Sequence, residues 1–272
     1  MQSTREKICA RPRLWFHHRM PAVDLHAIVK HCDHELRLDT INDYPGAHNG
    51  LQVENAGQIK KLAACVDASL ATVRKAADIG ANLMIVHHGL FWNAQHPWTG
   101  RKRELIDTLW EHNMAVYSAH LPLDVHPRMG NNAGLCKALK FKRPRPFFHE
   151  EGRALGLRVS TRLRRDILAN RLKTLLGTPP VLLRGGPSVC NKIGVVTGGA
   201  GNKLDVAAAE GVDTFITGEG AHWTGALAEE LGINVLYGGH YATETFGVKA
   251  LAAHLSRKFR VPWEFVDHPT GL

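Results

Sequence analysis

Apolar residues along this chain recur with two different periods, and the alternation between them sets the expected fold. Over residues 23–36 they fall at helical spacing, with Leu25, Ile28, Val29 and Leu36 on one stripe. Residues 61–67 (KLAACVD) form a short apolar run that ends in an aspartate and reads as a buried strand. Ser69 then offers an N-cap for a helix reaching about Ile79, before Gly80. A second apolar run, Leu83-Met84-Ile85-Val86, stops at His87-His88-Gly89. The spacing predicts a helix over 102–113 with Leu105, Ile106, Leu109 and Trp110 turned inward, a strand over 115–119 and a short helix over 131–139.

The second half repeats the alternation. A strand is expected over 154–159 and an amphipathic helix over 164–176, closed by Gly177. Pro179-Pro180 and Gly185-Gly186-Pro187 bound a short edge strand. The run 192–197 (KIGVVT) enters Gly198-Gly199-Ala200-Gly201-Asn202 and a helix over 204–210. Strand 213–217 ends at Gly218-Glu219 and is followed by a helix over 221–231. Strand 233–237 runs into Gly238-Gly239-His240, then a long helix over 243–259 with Thr243 as its cap, and an edge strand over 260–266. Strands alternating with helices imply an α/β fold of mainly parallel sheets flanked by helices, with right-handed crossovers. Pro144 and Pro146 mark a linker, which divides the chain into an N-terminal extension (1–20), a first lobe (21–145) and a second lobe (146–272).

At 272 residues the chain has room for one large α/β domain or two small ones. No apolar run approaches the roughly 20 residues that cross a bilayer, so no membrane role is expected. Cys9, Cys32, Cys65, Cys136 and Cys190 are odd in number, widely spaced and without a Cys-x-x-Cys pair. This argues against a disulfide framework and against cysteine-ligated zinc, and fits a reducing, cytoplasmic setting. The formal charge of +9 is uneven: residues 1–20 net +4 and residues 140–173 net +8. The first stretch lacks an apolar core and cleavage site, so it reads as a disordered arm or as sequence upstream of a working start near Met20. The second is either a solvated face or an attractor of phosphate-bearing substrates or nucleic acid. Its aromatics do not alternate with the basic residues as a stacking platform requires.

Three apolar strands end in residues that can ligate a metal: His87-His88, then His120 with Asp124, then His240 with Glu244 four residues on. Adjacent residues on a regular strand point to opposite faces. His87 and His88 can therefore share a site only where the strand breaks, or if each faces a different ion; the alternative is a hydrogen-bonded pair in a turn. Imidazole with carboxylate suits Zn, Mn, Fe, Co or Ni better than Mg or Ca. The set exceeds one tetrahedral structural zinc, whereas two divalent ions sharing a carboxylate would use it and leave positions for water. His120 reads more readily as a hydrogen-bonding support than as a ligand. Asp67 and Glu219 also end strands, as general bases or as caps. Gly198-Gly199-Ala200-Gly201 is an anion cradle or a tight turn, and His17-His18 in the extension has no such context.

The stretches NGLQVE (49–54), IVHHGLFW (85–92), HLPLDVHP (120–127), GNNA (130–133), VVTGGAG (195–201), DTFITGE (213–219) and GGHYATE (238–244) resemble the NIF-three-like family, from about Val23 to the end. The resemblance implies a two-lobed α/β subunit with a dinuclear site between the lobes, held by His87, His88, Asp124, His240 and Glu244, and assembly into a toroidal homohexamer. Members are commonly labelled GTP cyclohydrolase type 2 homologues, a label that implies nucleotide-ring hydrolysis. The ligand set itself points to a metal-dependent hydrolase acting on a nucleotide or phosphorylated substrate, with Glu219 as the residue that handles the proton. The rival readings are a non-enzymatic metal-trafficking or regulatory scaffold and a ring that associates with nucleic acid. The chain departs from the family pattern in its first 20 or so residues and in Tyr117-Ser118-Ala119 before His120, and it lacks the long central insertion of some members.

Overall fold

A computed structural model describes residues 22–92, 97–150 and 152–272. The expected extension over 1–20, with His17-His18 and Cys9, lies outside the described residues. The elements in chain order are β1 (Val23–Asp24), α1 (Leu25–Leu36), β2 (Gly50–Val53), β3 (Gln58–Ile59), β4 (Leu62–Asp67), α2 (Leu70–Asp78), β5 (Leu83–His88), α3 (Arg101–Glu111), β6 (Ala115–Ser118), α4 (Leu121–Asp124) and α5 (Asn131–Ala138). They continue with β7 (Arg145–Glu150), β8 (Arg153–Arg164), α6 (Arg165–Leu176), β9 (Val181–Arg184), β10 (Val189–Val195), a 3-10 turn (Ala200–Lys203) and α7 (Leu204–Ala209). The last are β11 (Thr214–Thr217), α8 (Thr224–Glu230), β12 (Asn234–Tyr237), α9 (His240–Thr243), α10 (Thr245–Phe259) and β13 (Trp263–Phe265).

Two sheets carry the molecule, one ordered β13-β4-β5-β6-β2 and the other β7-β8-β10-β11-β12-β9, with β1 and β3 as a small ribbon beside them. In the first sheet β13, β4, β5 and β6 run parallel and only β2 is antiparallel. The parallel expectation fails at the margins of the second sheet, where β10, β11 and β12 are parallel but β7, β8 and β9 pair antiparallel. The reason is local: β7 and β8 are joined across two residues, a hairpin connection too short for a helical crossover. The expected linker at Pro144 and Pro146 is therefore the start of edge strand β7, where proline's missing N–H faces no partner.

The long helix α10 does not stay with the second sheet. Val248, Leu251, Ala252 and Leu255 pack with Leu25, Ile28, Leu62, Ile85 and Tyr117, which fill the core under the first sheet. With β13 lying along β4, residues 245–265 complete the first sheet rather than the second, so the expected unit 146–272 is not continuous. Other local expectations divide in the same way. Ser69 accepts from Thr72 N–H in a reciprocal capping box. On α3, Leu105 and Leu109 are buried, but Trp110 is 77% exposed rather than turned inward. Thr243 is not the cap of α10; it ends α9, is fully buried, and its hydroxyl donates to the His240 carbonyl and accepts from Gly198 N–H.

Candidate metal centre

The parallel blocks of the two sheets meet at their carboxyl ends, the place where an α/β sheet presents ligands. In the first sheet the register sets Asp67 of β4 directly beside His88 of β5, and Val86 beside Ser118 of β6. His87 and His88 therefore emerge next to Ala119 and His120. From the second sheet come Gly198 after β10, Glu219 after β11 and His240 after β12. Glu244 sits at the junction of α9 and α10, where the chain leaves the second sheet for the first.

Each of the four imidazoles has its Nδ1 held by an acceptor. His87 donates to the Ala119 carbonyl at 2.8 Å, His88 to Asp67 Oδ1 at 2.8 Å, His120 to Asp43 Oδ1 at 2.9 Å and His240 to Glu219 Oε1 at 2.8 Å. An oxygen that can only accept requires the proton on Nδ1, so Nε2 is left to face the cavity. The ligating atoms of His87, Asp124 and Glu244 lie within 4.8 Å of one another, as do those of His88, His240 and Glu244, and those of His87, His88 and His120. Glu244 divides its oxygens: Oε1 is 3.6 Å from His87 Nε2, while Oε2 is 3.2 Å from His88 Nε2 and 3.1 Å from His240 Nε2. Asp124 Oδ2 is 3.4 Å from His87 Nε2, and its Oδ1 accepts from Asn131 at 2.7 Å.

These close approaches are not hydrogen bonds. His87 Nε2 and Glu244 Oε2 are buried and have no hydrogen-bond partner among the described residues. A buried nitrogen and a buried carboxylate oxygen left without partners are each costly unless something else in the centre satisfies them. A divalent cation does so, and the donor set of imidazole nitrogens and carboxylate oxygens fits one of the transition series. Protons report the same demand. Burial opposes charging His87, yet Asp124 and Glu244 outweigh it and hold that ring well above the ordinary histidine range. Burial is likewise outweighed at His240, raised to about 9 by Glu244 and Glu219. For Glu244 burial works in the other direction and is overcome by His87, His240 and His88, which hold the carboxyl far below its usual range.

The glycine turn after β10 serves this centre. Gly198 has φ +72, and a Cβ there would collide with Glu244 Oε1, so a side chain is excluded both by backbone and by the carboxylate. The Gly198 N–H goes to Thr243 and the Gly201 N–H to the Glu219 carbonyl, so the turn uses these donors internally rather than on an anion. The centre opens into a cavity of about 550 Å³ whose lining includes Tyr44, Trp92, Asn132 and Lys203. Lys203 is paired with Glu150 at 2.6 Å.

The sequence-predicted residues His87, His88, Asp124, His240 and Glu244 are thus brought together. His120 presents a ligating atom to the same group while also leaning on Asp43. Asp67 and Glu219 each accept from the Nδ1–H of a histidine of the cluster, His88 and His240 respectively. Missed by sequence reasoning were Asp43, hidden in a turn-like Asp-Tyr-Pro-Gly stretch, and Asn131 and Asn132, both buried. Asn131 bridges Asp124 to the Gly247 N–H of α10, and Asn132 bridges Leu155 O to the Thr197 N–H.

The family described as Duf34/NIF3 (NGG1p interacting factor 3) matches residues 23–270. A Deinococcus radiodurans protein named "GTP cyclohydrolase 1 type 2 homolog" is 40% identical over 237 residues, 85% of this chain and 89% of that protein. A Pasteurella multocida protein of the same name is 38% identical, covering 91% of this chain and 98% of its own length. Among solved structures, TTHA1606 from Thermus thermophilus is 39% identical with a TM-score of 0.85, covering 92% of this chain and all of that one (100%). The protein ybgI, described as of unknown function, is 33% identical with a TM-score of 0.85 over 92% of this chain and 100% of its own. Sequence and fold agree along nearly the whole length, and this chain belongs to the Duf34/NIF3 family.

Proposed function

We propose that the chain holds two divalent metal ions, with Glu244 as the shared carboxylate, and works as a metal-dependent hydrolase on a nucleotide or other phosphorylated small molecule. The observation that carries the reading is the division of Glu244: one oxygen faces His87 with Asp124, the other faces His88 with His240. His87 and Asp124 would hold one ion and His88 and His240 the other, with His120 within reach of His87 and His88. Bound ions would supply Lewis acidity to activate water and to stabilise negative charge on the substrate.

The chain's own residues do the rest. Asp67, Asp43, Glu219 and the Ala119 carbonyl keep each proton on Nδ1 and aim each Nε2 inward. Glu219 takes the proton-handling role through its hydrogen bond to His240. Asn202 and Lys203 line the same cavity, Lys203 with its ammonium held by Glu150, and would meet an anionic group bound there. The names of the relatives support a nucleotide substrate. The proposed assembly is a toroidal homohexamer, for which exposed Trp110, Trp223 and Val181 are available as contacts between copies.

Metal analysis of the purified protein tests the reading, with about two ions per chain expected. Unchanged metal content after His240→Ala combined with Glu244→Ala would falsify it. A screen of nucleotides and phosphoesters with each candidate metal tests the activity. No turnover in any combination would leave a metal protein without hydrolase function.

A further inference from the structure

The margin of the second sheet carries positive charge that the metal centre does not use. Lys142, Arg143, Arg145, Arg158 and Lys192 line a cavity of about 600 Å³ together with Val159 and Ser160. Strand register gathers them. Arg145 of β7 lies directly opposite Arg158 of β8, and Lys192 of β10 lies opposite Ser160. Arg158, Ser160 and Arg162 alternate onto the exposed face of β8. None of the five cations is ion-paired to a carboxylate among the described residues. Of the neighbouring acids, Asp213 gives its carboxylate to the Lys192 backbone N–H at 3.1 Å and Glu210 gives its carboxylate to His149, while the Glu210 backbone carbonyl accepts from Arg158 Nη1 at 2.9 Å. Asp205 and Glu210 border the shallow cavity on the other side of Arg158.

Two plain explanations fall short. Charge and proline on an exposed edge discourage pairing with other chains, and that accounts for Arg145 and Pro146 on edge strand β7. It does not account for Arg158 on the second strand or Lys192 on the third. A merely solvated face mixes both signs, whereas like charges directly opposite each other across two strands are destabilising.

We propose that this concave face binds the phosphodiester backbone of nucleic acid. Guanidinium forks on adjacent strands suit phosphate oxygens. The lining contains no aromatic side chain, so bases have nothing to stack on and contact is to phosphates, without sequence preference. A planar bilayer does not enter a concavity, and the lining offers no exposed apolar anchor for one. The proposal is independent of the metal reading, since the cavity shares no residue with the metal centre.

The test is fluorescence anisotropy with the full chain and a labelled random-sequence DNA duplex. If all five cations engage, affinity falls roughly 500-fold between about 50 and 200 mM salt. Arg158→Glu should weaken low-salt binding at least about tenfold and flatten the salt dependence. Its melting temperature should hold, because the change places opposite charges across β7 and β8. Lys192→Glu, on a different strand, should weaken binding in the same way and guards against a folding defect in the first variant. Absent duplex binding at low salt, or wild-type binding by both variants, overturns the proposal. So does binding of inorganic triphosphate or phosphatidylserine vesicles in preference to the duplex.

Discussion

At the scale of single residues, the histidines are set by what stands behind them. Glu219→Gln leaves an acceptor oxygen but removes the charge behind His240. Loss of such a partner lowers metal affinity by about 10- to 100-fold. A competition titration against a coloured chelator should show that drop, and wild-type affinity in the variant would remove Glu219 from the site. Gly198 is the other sensitive position. Gly198→Ala forces a side chain onto φ +72 and into Glu244 Oε1. Strain of this kind costs about 1–3 kcal/mol, so the variant should unfold at lower urea and retain less metal than wild type.

At the scale of elements, strand register and two buried amides decide which side chains meet. Asn131 joins Asp124 to α10, and Asn132 joins β8 to the turn after β10. Asn131→Ala should leave Gly247 N–H and Asp124 Oδ1 without partners, at a cost of about 1–3 kcal/mol in denaturant unfolding. The same scale explains what the sequence made legible. Apolar runs ending in His87-His88, Ala119 and Tyr237 located the strand ends to within a residue, because buried parallel strands must be continuously apolar. Ser69 and Gly177 marked helix ends through their own side-chain and backbone chemistry. Asp43 was illegible because it reaches His120 across 77 positions, and no local pattern encodes that contact. Trp110 was misjudged because helical spacing puts it beside the buried stripe, while the width of that stripe is set by what packs against it. The place of α10 was also hidden, since its apolar face is equally compatible with either sheet.

At the scale of the whole molecule, the centre ties stability to pH and to metal in opposite directions. In the metal-free protein His240 titrates near 9 when folded, above its ordinary value of 6.5. A raised folded pKa contributes stability that is complete below 6.5 and is lost as pH rises toward 9. Glu244, held low, contributes stability above the ordinary value of 4.5 and loses it as pH falls toward its folded value. Thermal melts of chelated protein should therefore fall across pH 6.5 to 9. Metal affinity should rise over the same window, because binding must displace those protons. A flat profile with and without metal would show that His240 does not carry the linkage.

The return of α10 and β13 to the first sheet also bears on how the chain is made. Strands β7 to β12 are contiguous in sequence and can associate as soon as they leave the ribosome. The earlier sheet must wait, its apolar floor open, until residues 245–265 arrive to cover Leu62 and Ile85. Between the appearance of β12 and that of β13 the nascent product is thus a finished second half tethered to an unfinished first one, and throughout synthesis up to that point the open first half exposes greasy surface that invites chaperone capture. Premature termination after Glu244 would spare the later sheet while leaving the earlier one unable to close.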